Sequence, residues 1–197
     1  MNQQEVIAHI QGRTLEPNQG WWIKAAYSAI LGSAYNMITP TGSDDVYLAR
    51  FWLTVPQFTK DHNYDSGNSV LLHFILKDDE DDAMHDHPWD FRTHILSGGY
   101  TEQLPNQDWD DEYYSGEIDY YAFPGPLPGP HPPRRVGNII QHKATDLHKA
   151  VEVMPDTWTL VTTGSKDRDW GFWPEGQPWA PYKDHLGISY KKEETEV

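Results

Sequence analysis

His85 and His87 stand one residue apart in the run His85-Asp86-His87-Pro88-Trp89. Imidazole nitrogens suit iron, nickel, copper and zinc. In extended chain, alternate side chains share a face, so the two rings point the same way and Asp86 points the other. Two imidazoles aimed into one cavity form half of a metal site. The best third ligand is His148, in the strand-like segment Asp146-Leu147-His148. Three histidines leave open positions where water, dioxygen or a substrate can bind, and such a site can polarise a bound oxygen or activate a water. A bare pair of this kind is more often polar surface. The preceding apolar run, Ser69 to Leu76, and the third histidine favour the ligand reading.

Other residues compete for a place in this constellation. His142 stands six residues before His148 and would share its face in an unbroken strand. His73 lies in the preceding strand and is either a further ligand or a satisfied structural histidine. His94 is near the ligand strands, whereas His62, His131 and His185 fall in loops and are expected to meet solvent. Tyr100 and Glu102 are candidate catalytic acid–base groups. The plainer roles are barrel filling for Tyr100 and an exposed hairpin position for Glu102. Arg168 alternates with Trp170 and Phe172 and could clamp a substrate carboxylate or phosphate. Its plainer role is an ion pair with a nearby Asp among aromatic rings.

The elements that must position these groups are short strands. Residues 1–20 are polar and expected to be loosely attached. Trp21 to Tyr35 has apolar residues at helical spacing and predicts a helix on the outside of a sheet. Val46 to Val55 and Ser69 to Leu76 read as strands. Thr93 to Leu96 leads to Ser97-Gly98-Gly99, a bend or hairpin, with Tyr100 to Leu104 as the return strand. Tyr113 to Phe123 is strand-like, and Pro124 to Pro133 is a proline-rich surface loop. Val136 to Gln141, Ala144 to Met154 and Trp158 to Gly164 read as strands, the last two joined in a hairpin at Pro155-Asp156. The expected organisation is a polar segment over 1–20, one domain over 21–186 and a polar tail over 187–197. Many short strands with regular turns indicate an all-β sandwich or barrel.

Composition sets outer limits. The 197 residues carry a net charge of −15, which argues against nucleic acid or anionic membrane as partner. There is no cysteine, so thiolate ligands, disulfides and a cysteine nucleophile are excluded. Any metal must be held by His, Asp or Glu. The acidic run Lys77 to Asp82 lacks the EF-hand pattern and reads as a solvated turn. No apolar run approaches membrane-spanning length, and the N-terminus lacks the features of a signal peptide, so a cytoplasmic location is expected.

The chain resembles the cupins, small antiparallel jelly-roll β-barrels with two short motifs. His85 and His87 match the first motif's paired histidines, and Gly98 falls at its glycine. Phe91 or Arg92 occupies its glutamate position, so the resemblance implies a three-histidine site. Of the second motif only His148 survives. Thiol dioxygenases of the cupin superfamily also use three histidines and iron. A closer resemblance, over about Val70 to Trp179, is to a group of bacterial and phage cupin-like proteins. Its features are HDHPW, Leu96 to Glu102, Leu147-His148, Trp158 to Val161 and Gly164 to Phe172. No reaction comes with that resemblance.

The expected fold is therefore a single cupin-type jelly-roll barrel with a peripheral N-terminal helix. The expected function is a mononuclear metal enzyme of dioxygenase type, with Fe(II) favoured and Zn, Ni or Mn as alternatives. Its substrate is expected to be a small, anionic molecule. Two other readings stay open: a non-redox isomerase or lyase, and a non-catalytic ligand-binding or structural cupin. A 2-oxoglutarate oxygenase fits less well, since it needs a carboxylate ligand. The oligomeric state is open, with a homodimer as one candidate.

Overall fold

A row of alternating side chains gives each central strand one face for helices and one for a barrel interior. The computed structural model of the chain describes residues 1–40, 42–54, 68–79, 83–105 and 129–185. Its helices are α1 (Gln3–Arg13), α2 (Trp21–Leu31) and the single turn α3 (Tyr182–His185). The strands are β1 (Tyr35–Ile38), β2 (Leu48–Trp52), β3 (Val70–Ile75), β4 (Met84–His85), β5 (Phe91–Ser97) and β6 (Gly99–Gln103). After them come β7 (Pro133–Arg135), β8 (Ile139–His142), β9 (Lys149–Val151), β10 (Thr157–Thr163), β11 (Gly171–Trp173) and β12 (Ala180–Pro181). The expected strand over 113–123 lies outside the described residues, as do the tail and residues 124–128 of the proline-rich run.

Every strand pairing among the described residues is antiparallel. One sheet runs β1-β2-β3-β10-β5-β8, and two smaller ones run β12-β11-β4 and β7-β6-β9. The outer face of the large sheet presents Ala49, Phe51, Leu72, Phe74 and Trp158 to the helices. Trp158 is fully buried there and stacks on Phe74 with ring centres 4.5 Å apart. The inner face packs Ile95 and Ile140 against Tyr100 of β6, so the small β6 sheet closes over it. This two-layered, all-β arrangement is a jelly-roll.

Three local expectations are corrected or narrowed. The first twenty residues are not a loose polar segment. Asn2 caps α1 through a capping box with Glu5, and Val6 and Ile10, one turn apart, are fully buried in the helix–sheet core. Arg13 also pairs with Asp156 at the entry to β10. Second, of the bend or hairpin expected at Gly98-Gly99 the structure has the bend, a corner between sheets, because β5 and β6 belong to different sheets. Both glycines have positive φ (63° and 150°), and a Cβ on Gly98 would lie 2.4 Å from Thr157 Oγ1. Third, β9 and β10 are not hairpin partners: β9 pairs with β6, and β10 with β3 and β5. The Pro155-Asp156 turn is thus another passage between sheets.

Candidate metal centre

His85 sits on β4, and its backbone exchanges two hydrogen bonds with that of His148, each 3.1 Å. Directly opposed residues of an antiparallel pair project to the same side, so this bridge brings the His148 ring to the His85 ring. His87 follows two residues later, its amide donating to the Ala144 carbonyl at 2.9 Å. Asp86, between them, points the other way and is fully buried. It accepts from the Gly171 amide at 2.7 Å and from Arg168 Nη1 at 2.6 Å. Burial pushes its carboxyl up, against the opposing pull of Arg168. Both carboxylate oxygens are engaged away from the histidines.

The three rings of His85, His87 and His148 stand 5.0, 4.9 and 5.0 Å apart, centre to centre. One nitrogen from each lies within 4.8 Å of the others. A metal about 2.1 Å from each ring nitrogen places ring centres roughly 4.5–5.3 Å apart for angles between about 90° and 109°. The arrangement therefore fits a common metal ion. His87 Nε2 and His148 Nε2 approach to 2.8 Å, facing the same point. Burial first, then the charges of His148, His85 and His142, hold the His87 imidazole well below the ordinary histidine value. It is thus kept neutral, the form that binds metal.

Glu102 was expected on an exposed hairpin or as an acid–base group. It is fully buried in the interior. Its Oε1 lies 2.7 Å from His148 Nδ1 and 3.1 Å from His142 Nε2, and Arg134 Nε donates to its Oε2 at 2.6 Å. Burial alone would raise the carboxyl. The two histidines beside it, His142 and His148, outweigh burial and hold the group well below the usual carboxylate range. The ionised carboxylate fixes the His148 tautomer with hydrogen on Nδ1 and leaves Nε2 as the free ligand atom.

His142 reaches the same place by another route than a shared strand. β8 ends at His142 and a turn over 143–147 follows, yet the His142 and His148 rings meet at 4.8 Å. With Glu102 they form a second cluster of ligand type. His142 Nε2 is buried, and its approach to Glu102 is close but poorly angled. Among the described residues it has no hydrogen-bond partner of good geometry. Phe91, at the motif's glutamate position, is buried against His87 (4.4 Å) and His142 (4.7 Å), while Arg92 is exposed. Alternation along β5 therefore assigns that position to Phe91.

The remaining candidates lie elsewhere. Tyr100 fills the inner core with Ile95 and Ile140, and burial raises its phenol further. Arg168 binds Asp86 and the Ala144 carbonyl, the ion pair that was its plainer role. It braces the strand from behind. His73 accepts from Arg50 Nε at 3.2 Å on the large sheet. His131 is exposed, whereas His185 stacks on Phe172 at 4.4 Å. Glu102's importance was hidden because its partners sit 32 to 46 residues away in sequence. A groove of about 900 Å³ between α1 and the β10 entry, lined by His9, Arg13, Phe74 and Asp156, is away from these histidines.

No family model and no curated protein sequence matches the chain. Solved structures similar to it include the DMSP lyase DddQ from Ruegeria pomeroyi DSS-3, at 14% identity and TM-score 0.48, covering 83% of this chain and 74% of that one. The polyketide cyclase RemF from Streptomyces resistomycificus is similar at 13% identity and TM-score 0.40, over 76% and 84% of the two chains. Hydroxypropylphosphonic acid epoxidase from S. wedmorenis follows at 11% identity and TM-score 0.38, over 66% and 59%. The chain spans 57% of the Fe(II)-HppE chains that it also matches. The bacterial and phage group with HDHPW has no counterpart among these matches. Likeness at this distance concerns fold and not chemistry. By its own sheets the fold is an all-β, antiparallel jelly-roll arrangement.

Proposed function

We propose that the chain is a mononuclear metal enzyme, with His85, His87 and His148 as ligands and iron(II) as the favoured ion. The observation that carries this reading is the triangle of three rings whose spacing fits one ion. A bound divalent metal supplies Lewis acidity there and, as iron(II), a one-electron couple.

The protein's own groups do the rest. Glu102 orients His148 and stays ionised, with Arg134 balancing its charge. His142 Nε2 lies 3.1 Å from the ionised Glu102, so its hydrogen faces that carboxylate and Nδ1 is the ring nitrogen left to accept a proton from a bound substrate. Phe91, Trp170 and Phe172 surround the rings of His85 and His87 with apolar surface, which limits access of water. Three neutral ligands leave the ion's full charge, which favours a small anionic substrate. Tyr100 and Arg168 serve packing and positioning.

The dioxygenase reading predicts oxygen uptake by iron(II)-loaded protein with a panel of small thiols and carboxylates. The buried Glu102–His142 pair also favours a second reading, a non-redox isomerase or lyase using the same proton acceptor. Turnover without oxygen consumption, supported equally by zinc or manganese, would select it.

A further inference from the structure

Next to the triangle of His85, His87 and His148 lies a second group of ligand type. Glu102 comes from β6, His142 from the end of β8, and His148 from the chain after the turn over 143–147. Glu102 Oε1 is 2.7 Å from His148 Nδ1 and 3.1 Å from His142 Nε2. Donor atoms about 2.1 Å from one ion lie roughly 2.7–3.4 Å apart for angles between about 80° and 109°. The His142 and His148 ring centres stand 4.8 Å apart, close to the 4.9–5.0 Å of the first triangle. The two groups share only His148, by opposite nitrogens: Nε2 faces His87, and Nδ1 faces Glu102.

His142 singles this second group out. The residue is 4% exposed, and its Nε2 has no hydrogen-bond partner of good geometry among the described residues. Its hydrogen faces the carboxylate at a poor angle, although the two atoms are close. Phe91 stacks on the ring at 4.7 Å and fixes it in that position. A buried polar atom left in this state calls for an explanation, and an ion between the two groups is one. Two imidazoles and a carboxylate suit zinc or copper(II). Glu102, fully buried, brings a negative charge to an interior position.

We propose that Glu102, His142 and His148 form a second metal site, which takes zinc or copper(II) when metal is in excess. The proposal rests on the metal-centre reading only for the sharing of His148. With an ion already on Nε2, a second ion on Nδ1 displaces the hydrogen there, so His148 becomes a bridging imidazolate and a proton leaves to solvent. Loss of that hydrogen and repulsion between the ions make the second ion the weaker one, removed by dialysis. On His142 the hydrogen moves from Nε2 to Nδ1, the nitrogen 3.8 Å from Asp146 Oδ2. His142 then has no free nitrogen to accept a proton, so excess metal inhibits a reaction that uses it as a base.

The test has two parts. Metal-free protein is titrated with zinc in two buffers of different ionisation enthalpy, which counts released protons, and copper(II)-loaded protein is followed by electron paramagnetic resonance. The variants are His142→Gln and His87→Ala. The wild type is expected to take a second zinc ion about tenfold or more weakly than the first, with release of a proton. Two copper(II) ions should couple through the shared ring and lose most of their resonance signal. His142→Gln should keep the first ion, weaken the second by about tenfold or more and give no coupled pair. His87→Ala should keep the Glu102 site and fill it without that proton release, because His148 can then carry its hydrogen on Nε2. A single ion in the wild type that His142→Gln keeps and His87→Ala loses overturns the second site. So does a second ion held with unchanged affinity by folded His142→Gln, since surface carboxylates would then be its ligands. If His142→Gln does not fold, the wild-type copper spectrum decides, and two uncoupled ions overturn the site. Failure of the first centre is separable: it would appear as one ion per chain, kept by His87→Ala and lost by His142→Gln.

Discussion

Glu102 Oε1 lies 2.7 Å from His148 Nδ1, inside a barrel that gives this carboxylate no exposed surface. The contact decides which His148 nitrogen can hold a metal. Replacing Glu102 by Gln keeps its size and removes its charge. We expect metal affinity to fall about 10–100-fold, the usual effect of losing such a supporting partner. Isothermal titration with zinc or cobalt reads this directly, and an unchanged affinity would mean that Glu102 does not orient the ligand.

Asp86 and Arg168 form the corresponding brace behind the ligand pair. Arg168→Ala leaves a buried carboxylate without its cation, which is expected to cost about 3–5 kcal/mol of stability. Asp86 and Arg168 changed together to Asn and Met should be less harmful than Arg168→Ala alone. Denaturant melts of the metal-free proteins measure both. Equal losses would show that the pair is not coupled.

The metal-free protein should lose stability in mild acid. Burial holds His73 and His87 well below the ordinary histidine value of 6.5. Below that value the unfolded chain binds protons that the folded protein does not, so lowering the pH favours unfolding. Melting temperature is expected to fall between about pH 7.5 and about pH 5.5, and to fall less in His73→Gln. A flat profile for the wild type would contradict the burial of these rings.

The N-terminal helix is a structural part of the domain. Ile10→Ala should cost about 2–5 kcal/mol, as for other fully buried aliphatic side chains. An effect below about 0.5 kcal/mol would be that of a surface position instead.

Much of this was legible from local pattern. Strand alternation placed His85 and His87 on one side and Asp86 on the other, and the β-rich architecture followed from short apolar runs between turns. What escaped depended on pairing between distant strands. Glu102 reads as an exposed hairpin residue unless β6 is known to leave the sheet of β5 at Gly98 and cover its inner face. Arg168 alternates with aromatic residues in sequence, yet its partner Asp86 lies 82 positions away. In α1 only two buried residues, Val6 and Ile10, anchor an otherwise polar helix, too weak an apolar stripe to stand out.

The most direct test of the metal centre is the metal content of untagged protein, reloaded with iron(II) or cobalt and dialysed, for the wild type and for His85→Ala, His87→Ala and His148→Ala. The account predicts one ion per chain in the wild type and loss of most of it in each folded variant. Full retention of metal by folded His148→Ala, or no uptake by the wild type, would contradict it.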